Sequence, residues 1–267
     1  MTDASHRVNE AAEAARSFRG RVGLDLRGPI PDLLRVVEAV AGVAVSIIDL
    51  PAGAAGAYTF EEGQGFAFVN AADVVVRQRF TLAHELAHHV FKDTAIIDSE
   101  ASVFGSPSSP RERRANTFAA EFLIPLQAVN SWMEAREATT VDLRLIVELA
   151  SFFRVSAKTA LIRLQLARFV DSASDLGHAL GAAIDNGDHL RLAKRLGVEE
   201  MPDAMTEIKR VGASKAPAKM WEYAVIGYER GLLTSERIAE AIFMTPAAVQ
   251  ADLDDLGIEP PVEDPDY

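Results

Sequence analysis

Residues 79–88 read RFTLAHELAH, and this stretch determines how the rest of the 267-residue chain is interpreted. Apolar side chains recur around it at steps of three and four residues, which predicts an amphipathic helix over about Arg77–Lys92. These side chains are Phe80, Ala83, Ala87 and Phe91. On such a helix the four-residue step from His84 to His88 places both imidazoles on one face. The stretch therefore predicts a metal site in the middle of a long helix.

Glu85, between the two histidines, gives the motif a chemical meaning. Two neutral imidazoles bind a metal ion, and the carboxylate beside them is placed to accept a proton from a water molecule that the metal activates. This arrangement is typical of zinc peptidases. The next residue, His89, points away from the face that carries His84 and His88, so we interpret it as a bystander.

Composition limits the other ligands and the location of the protein. The chain has no cysteine, so any metal must be held by His, Asp or Glu. The longest mostly apolar stretch, Ala39–Ile48, is shorter than the roughly 20 residues of a membrane-spanning helix, and the polar N-terminus does not resemble a secretion signal. We therefore expect a cytoplasmic protein that does not insert into membranes.

A catalytic metal site needs a third protein ligand, and Glu112 is our candidate. It begins an apolar stripe on a predicted helix, Arg111–Leu123, so its carboxylate should face the interior, where an unpaired charge is costly. Alternatively, residues 109–112 (SPRE) form a capping box, and Glu112 bonds back to the cap. Asn116, one turn further on, could orient a ligand. Spacing alone leaves four other carboxylates open: Asp93, Asp98, Glu100 and Glu121.

The remaining pattern predicts a mostly helical chain with a few strands. Val43–Ile48 is a β-branched run typical of a buried strand, and a hairpin follows around the turn at residues 63–65. The hairpin strands are Tyr58–Phe60 and Phe66–Val69. Helices are predicted over Asn9–Phe18 and Pro29–Val40, and a loop over Ser102–Pro110.

The second half of the chain predicts two helix pairs. Val141–Phe153 with Ala157–Phe169 has the spacing of a helix-turn-helix unit, and Ser235–Phe243 with Pro246–Leu256 is comparable. The small, polar residues 171–174 are the best boundary between domains. We therefore predict one domain over residues 1–171, with a helix-turn-helix-like part at 126–171. A helical accessory domain with a disordered acidic tail would follow over residues 172–267.

Three motifs together resemble the ImmA/IrrE family of metallopeptidases: residues 79–88, ERRANTFAA at 112–120 and FLIP at 122–125. The resemblance extends from about Leu33 to Leu166. It implies an α+β core in which a small sheet packs against a helix pair of the gluzincin type, with a helical C-terminal region outside the resemblance. It also places Glu112 at the third-ligand position. Arg114 and Ile124 differ from many relatives, which have an acidic residue and a methionine there.

The resemblance implies a metal-dependent endopeptidase of narrow specificity. We expect His84, His88 and Glu112 to bind zinc, or manganese, and Glu85 to act as general base. Family members are implicated in cleaving helix-turn-helix repressors, which induces genes of mobile elements or stress responses. The expected partner is therefore a repressor protein. An extended substrate could add as a strand to Phe66–Asn70.

Two other functions are weighed against this one. A DNA-binding regulator could use Val141–Phe169, but its local charge is only +3 and the whole chain carries −12, so direct DNA binding is not expected. A non-cleaving antirepressor or scaffold could hold a metal without hydrolysis, but such a site would not need Glu85. The residue that stabilises the oxyanion is not assigned; Tyr58 and His178 are candidates.

Overall fold

The computed structural model describes residues 3–94, 96–105, 109–198 and 214–258, with side chains from Asn9 onward. The acidic tail predicted over Ile258–Tyr267 lies outside these residues, apart from Ile258. Within them the fold is α+β, as predicted from the sequence. It combines a small four-stranded sheet with many helices.

The N-terminal helices lead into the sheet. Helix α1 (Asp3–Arg21) is longer than predicted, whereas α2 (Leu33–Arg35) is short and continues as one π-helical turn, Val36–Val40. The predicted start at Pro29 was wrong because the Asp32 side chain caps the helix by accepting a hydrogen bond from the Arg35 N–H. Phe18 of α1 packs edge-on against Phe122, which anchors α1 to the core.

The sheet is mixed, with strand order β1-β3-β2-β4. Its strands are β1 (Val43–Ile48), β2 (Ala54–Glu61), β3 (Gln64–Asn70) and β4 (Ile96–Ser99). The predicted hairpin is β2–β3, but its turn lies at Glu62 and Gly63, not at residues 63–65, because Gln64 already pairs with Glu61. Both turn residues have positive φ, as a tight hairpin requires. Strand β1 is parallel to β3, and β4 is antiparallel to β2.

The central place of β3 overturns one expectation. Phe66–Asn70 lies in β3, whose backbone pairs with β1 on one side and with β2 on the other. The idea that a substrate strand adds to Phe66–Asn70 was therefore wrong, because both edges of this strand are used. Strand β4, by contrast, pairs with β2 alone among the residues that the structure describes.

Helix α3 (Val75–Phe91) contains the HELAH motif and packs on β2 and β3, with α5 (Pro110–Leu123) beside it. It ends at Lys92, whose left-handed conformation lets its N–H donate to the carbonyls of the last turn. Helix α4 (Glu100–Phe104) lies between α3 and α5 along the chain. The predicted loop was therefore wrong over residues 102–104, because the Ser99 side chain caps a short helix there.

The remaining helices form two groups. Helices α6 (Leu126–Glu134), α7 (Leu143–Phe153), α8 (Ala157–Leu166), α9 (Asp175–Asp185) and α10 (Asp188–Leu196) follow the sheet region, and Leu180 and Ile184 of α9 belong to the main core. Helices α11 (Ala218–Glu229), α12 (Ser235–Ile242) and α13 (Pro246–Asp255) enclose a second, smaller cluster. The division into domains at residue 171 stays a prediction.

The C-terminal helices are joined to the sheet at β1. The Lys215 N–H donates to the carbonyl of Ile47 at 2.7 Å, and the Ile47 N–H donates back to Lys215 at 2.9 Å. The Lys215 ammonium group also lies 3.2 Å from the Glu38 carboxylate. This contact covers part of the outer edge of β1. In the described ranges, no helix combines the length and the apolar character needed to cross a membrane.

Candidate metal centre

Helix α3 brings the two motif histidines together, as the four-residue step predicts. The Nε2 atoms of His84 and His88 lie 3.0 Å apart, and both rings are fully buried. The helix faces β2 and β3 here, so the imidazoles lie between the sheet and α5. Local helical geometry alone accounts for this half of the site.

Helix α5 supplies Glu112. Its Oε2 lies 3.1 Å from Nε2 of His84 and 3.6 Å from Nε2 of His88. Ser109 caps the helix by accepting a hydrogen bond from the Arg111 N–H, and Pro110 occupies the first turn. The cap therefore begins the helix at the point that directs the Glu112 carboxylate toward the histidines.

Strand β4 adds a second carboxylate, that of Asp98. Its Oδ2 lies 3.4 Å from Nε2 of His88 and 3.6 Å from Nε2 of His84. One ligand atom from each of these four residues lies within 4.8 Å of the others. Of the carboxylates that spacing left open, the structure thus places both Asp98 and Glu112 at the histidines.

The other three carboxylates have different partners. Asp93 contacts the far side of the His88 ring, and Glu100 lies 3.9 Å from Arg77. The buried Glu121 pairs with the buried Arg163 and the partly exposed Arg16. His89 is outside the four-residue cluster; its Nδ1 lies 2.9 Å from the hydroxyl of Tyr58. His178 is exposed on α9.

A polar side chain contacts Nδ1 of each histidine, on the side of the ring away from the cluster. His84 Nδ1 donates to Oδ1 of Asn116 at 2.7 Å, and His88 Nδ1 donates to Oδ2 of Asp93 at 2.8 Å. With the proton on Nδ1, the lone pair of each imidazole lies on Nε2, which faces the cluster. Arg114 holds Asp93 through both carboxylate oxygens, at 2.7 and 2.9 Å. Sequence spacing suggested Asn116 as a residue that could orient a ligand, but it did not suggest this contact of Asp93.

Replacing Asp93 by alanine should weaken metal binding without removing a residue that touches the metal. The loss of the carboxylate frees the His88 ring to rotate, and changes of this kind typically lower metal affinity about 10- to 100-fold. Competition with a chromophoric chelator measures the affinity. Asp49→Ala, an exposed change just after β1, is the matched control. Equal affinity in all three proteins would show that Asp93 does not orient His88.

The carboxylates around the two histidines raise the pKa of both rings. Burial lowers the pKa of His84, but contacts with Asp98 and Glu112 outweigh burial and raise it to about 9. Burial likewise opposes a charged His88, yet Asp93, Asp98 and Glu112 raise its pKa to about 11. Although burial raises the pKa of Glu112, its contacts with His84 and His88 hold it well below the ordinary value.

A divalent cation fits this donor set. Its two positive charges would compensate the Asp98 and Glu112 carboxylates, and it would bind at Nε2 of both histidines in place of any proton there. The chemistry of the donors is also right, because imidazole and carboxylate are the usual ligands of a cysteine-free zinc site. Asp98 Oδ2 is buried without a hydrogen-bond partner among the described residues, which leaves it available to a cation.

Glu85 lies beside the cluster and is fully buried. Neither of its carboxylate oxygens has a hydrogen-bond partner in the part of the chain that the structure describes. Burial raises the pKa of Glu85 to about 8, which brings it close to the range in which a general base works near neutral pH. Gly56 of β2 makes room for it: a Cβ there would lie 2.3 Å from Oε1 of Glu85 and 2.9 Å from the Phe68 carbonyl oxygen.

This fold and site define a class of protein: a metallopeptidase-type domain whose HExxH helix meets a glutamate from a second helix. Residues 38–165 match the Peptidase_M78 family model, described as the IrrE N-terminal-like domain. The chain thus carries a domain of the ImmA/IrrE family, which confirms the resemblance found in the sequence. A search of curated proteins finds no match to the chain.

Proposed function

We propose that this protein is a metal-dependent endopeptidase of narrow specificity, with His84, His88 and Glu112 as metal ligands and Glu85 as general base. The observation that carries the proposal is the buried donor cluster formed around the two histidines of the HExxH helix, beside the Glu85 carboxylate, which has no partner among the described residues. A purely structural metal site would have no use for Glu85, whose burial without a partner is costly.

In this proposal, different residues bind the metal, orient its ligands and transfer the proton. When bound, zinc or manganese makes water acidic enough to attack near neutral pH and polarises the scissile carbonyl. His84 and His88 present Nε2 to the ion because Asn116 and Asp93 hold the Nδ1 protons. Glu85 accepts the proton of the attacking water on a carboxylate oxygen and passes it to the leaving amine. The burial of His84, His88 and Glu85 strengthens their electrostatic interactions.

The proposed substrate is a transcriptional repressor with a helix-turn-helix domain. The family resemblance supports this choice, and cleavage would switch on mobile-element or stress-response genes. The protein would act in the cytoplasm, where such repressors bind DNA, and it need not bind DNA itself. The test is to incubate the metal-loaded protein with the repressor encoded nearest to its own gene and to identify the fragments by mass spectrometry.

Metal content tests the site before any substrate is known. Protein purified without a metal-binding tag should contain about one equivalent of zinc or manganese, and Glu112→Ala should lose or weaken it, because one charged ligand is gone. Elemental mass spectrometry measures the content. Glu100→Ala, an exposed carboxylate nearby, should leave the content unchanged. Absence of metal from the wild-type protein after reconstitution would contradict the proposed function.

A further inference from the structure

With Asp98, the cluster has one more protein ligand than a catalytic metal site needs. Catalytic zinc sites have three protein ligands and keep a position open for water or substrate, whereas sites closed by four protein ligands are typically structural. Here His84, His88 and Glu112 already provide three ligand atoms, and Asp98 provides a fourth within the same 4.8 Å.

We propose that Asp98 is a fourth metal ligand that closes the metal centre in the resting protein, so that β4 must withdraw its carboxylate before a substrate can bind. The inference rests on the proposed function, because it requires that the cluster hold a metal. It assigns to the edge strand of the sheet control over the access of water and substrate to the ion.

The position of Asp98 in its strand directs its side chain toward the cluster. Side chains of β4 alternate between the two faces: Ile96 and Asp98 point inward, whereas Ile97 is 83% exposed. Asp98 thus occupies a position where the strand pattern favours an apolar residue, and it is only 2% exposed. Burying a carboxylate there is costly unless a positive charge compensates it. The positive charge available in this direction is that of the histidines or of a metal that they bind.

The construction of β4 suits a strand that can move. It has four residues and lies at the edge of the sheet, and within the described part of the chain it pairs on one side, with β2. Its pairing is irregular, because the register shifts between Ala54 and Gly56 at the level of Asp98. A short edge strand of this kind has few backbone hydrogen bonds to break, so its local opening costs less than that of a central strand.

Cobalt(II) substitution followed by an azide titration tests the proposal. Visible absorption of bound cobalt reports on its ligands, and azide binds where a coordination position is open. We compare the wild-type protein, Asp98→Ala and Glu100→Ala, the last being a neighbouring carboxylate that lies outside the cluster. Each should bind about one equivalent of cobalt. Azide should shift the visible bands of Asp98→Ala and leave those of the wild type and Glu100→Ala unchanged.

The outcomes separate this inference from the proposed function. An equal azide-induced shift in the wild type and in Asp98→Ala, with cobalt bound to both, would overturn the role of Asp98 and leave the peptidase proposal standing. Failure of all three proteins to bind cobalt would overturn both. Asp98→Asn, which preserves the shape of the side chain and removes its charge, replaces the alanine variant if that variant does not fold. It should respond to azide as Asp98→Ala does.

Discussion

Replacing Glu85 by glutamine is expected to abolish cleavage and to leave the metal content unchanged. Glutamine has nearly the same shape as glutamate, but its amide cannot accept the proton of the attacking water. Loss of a general base typically costs about 10²- to 10⁴-fold in rate. The fold should persist, because glutamine has the shape of the fully buried Glu85 side chain, which has no hydrogen-bond partner among the described residues to lose.

The measurement is the rate at which repressor fragments appear, followed by mass spectrometry and compared with the metal content of the same preparation. Glu100→Gln is the matched control, because it makes the same chemical change on an exposed carboxylate. Cleavage that persists in Glu85→Gln would refute the assigned mechanism. Loss of metal together with loss of cleavage would instead give Glu85 a structural role in the site.

The largest expected loss of stability comes from Glu121→Ala, far from any proposed chemistry. The Glu121 carboxylate is 1% exposed and joins three helices, since it accepts hydrogen bonds from Arg163 of α8 and from Arg16 of α1, the latter at 2.9 Å. Arg163 is itself buried, and alanine at position 121 would leave its charge uncompensated. Breaking a buried pair in this way typically costs about 3–5 kcal/mol.

Urea unfolding of the wild-type protein and the variant measures the difference in free energy of unfolding. Glu148→Ala is the control: it removes an exposed pair with Arg144 on α7, which should contribute no more than about 0.5 kcal/mol. Equal unfolding midpoints for Glu121→Ala and the wild type would mean that water or another group compensates Arg163.

Local patterns were sufficient to predict the elements that depend on local geometry. The apolar period around residues 79–88 indicated α3, and helical spacing alone brought His84 next to His88. The order of the strands could not be predicted this way, because pairing depends on contacts between segments distant in sequence. For that reason the sequence did not show that β3 lies in the centre of the sheet, and the proposed substrate strand at Phe66–Asn70 was wrong.

The sequence likewise could not show which carboxylates reach the histidines. Spacing reduced the third ligand to a short set of candidates that included Glu112 and Asp98. The distances from each candidate to the histidines depend on how the elements pack, which spacing does not show. Asp98 lies on β4, a strand too short to stand out in the sequence. The alternation of Ile96, Ile97 and Asp98 is a weak sign of it. Asp93 was considered as a ligand, but its partners are Arg114 and the far nitrogen of His88.

Gly56 has a consequence for how the tolerance of this protein to mutation should be interpreted. A Cβ at this position would collide with Oε1 of Glu85 at 2.3 Å and with Cγ2 of Thr81 at 2.5 Å. In a saturation screen scored by function, even alanine at position 56 should therefore abolish function, as we expect for substitutions of His84 and His88. A residue that offers no functional group would rank among the most sensitive positions, because its contribution to the site is empty space.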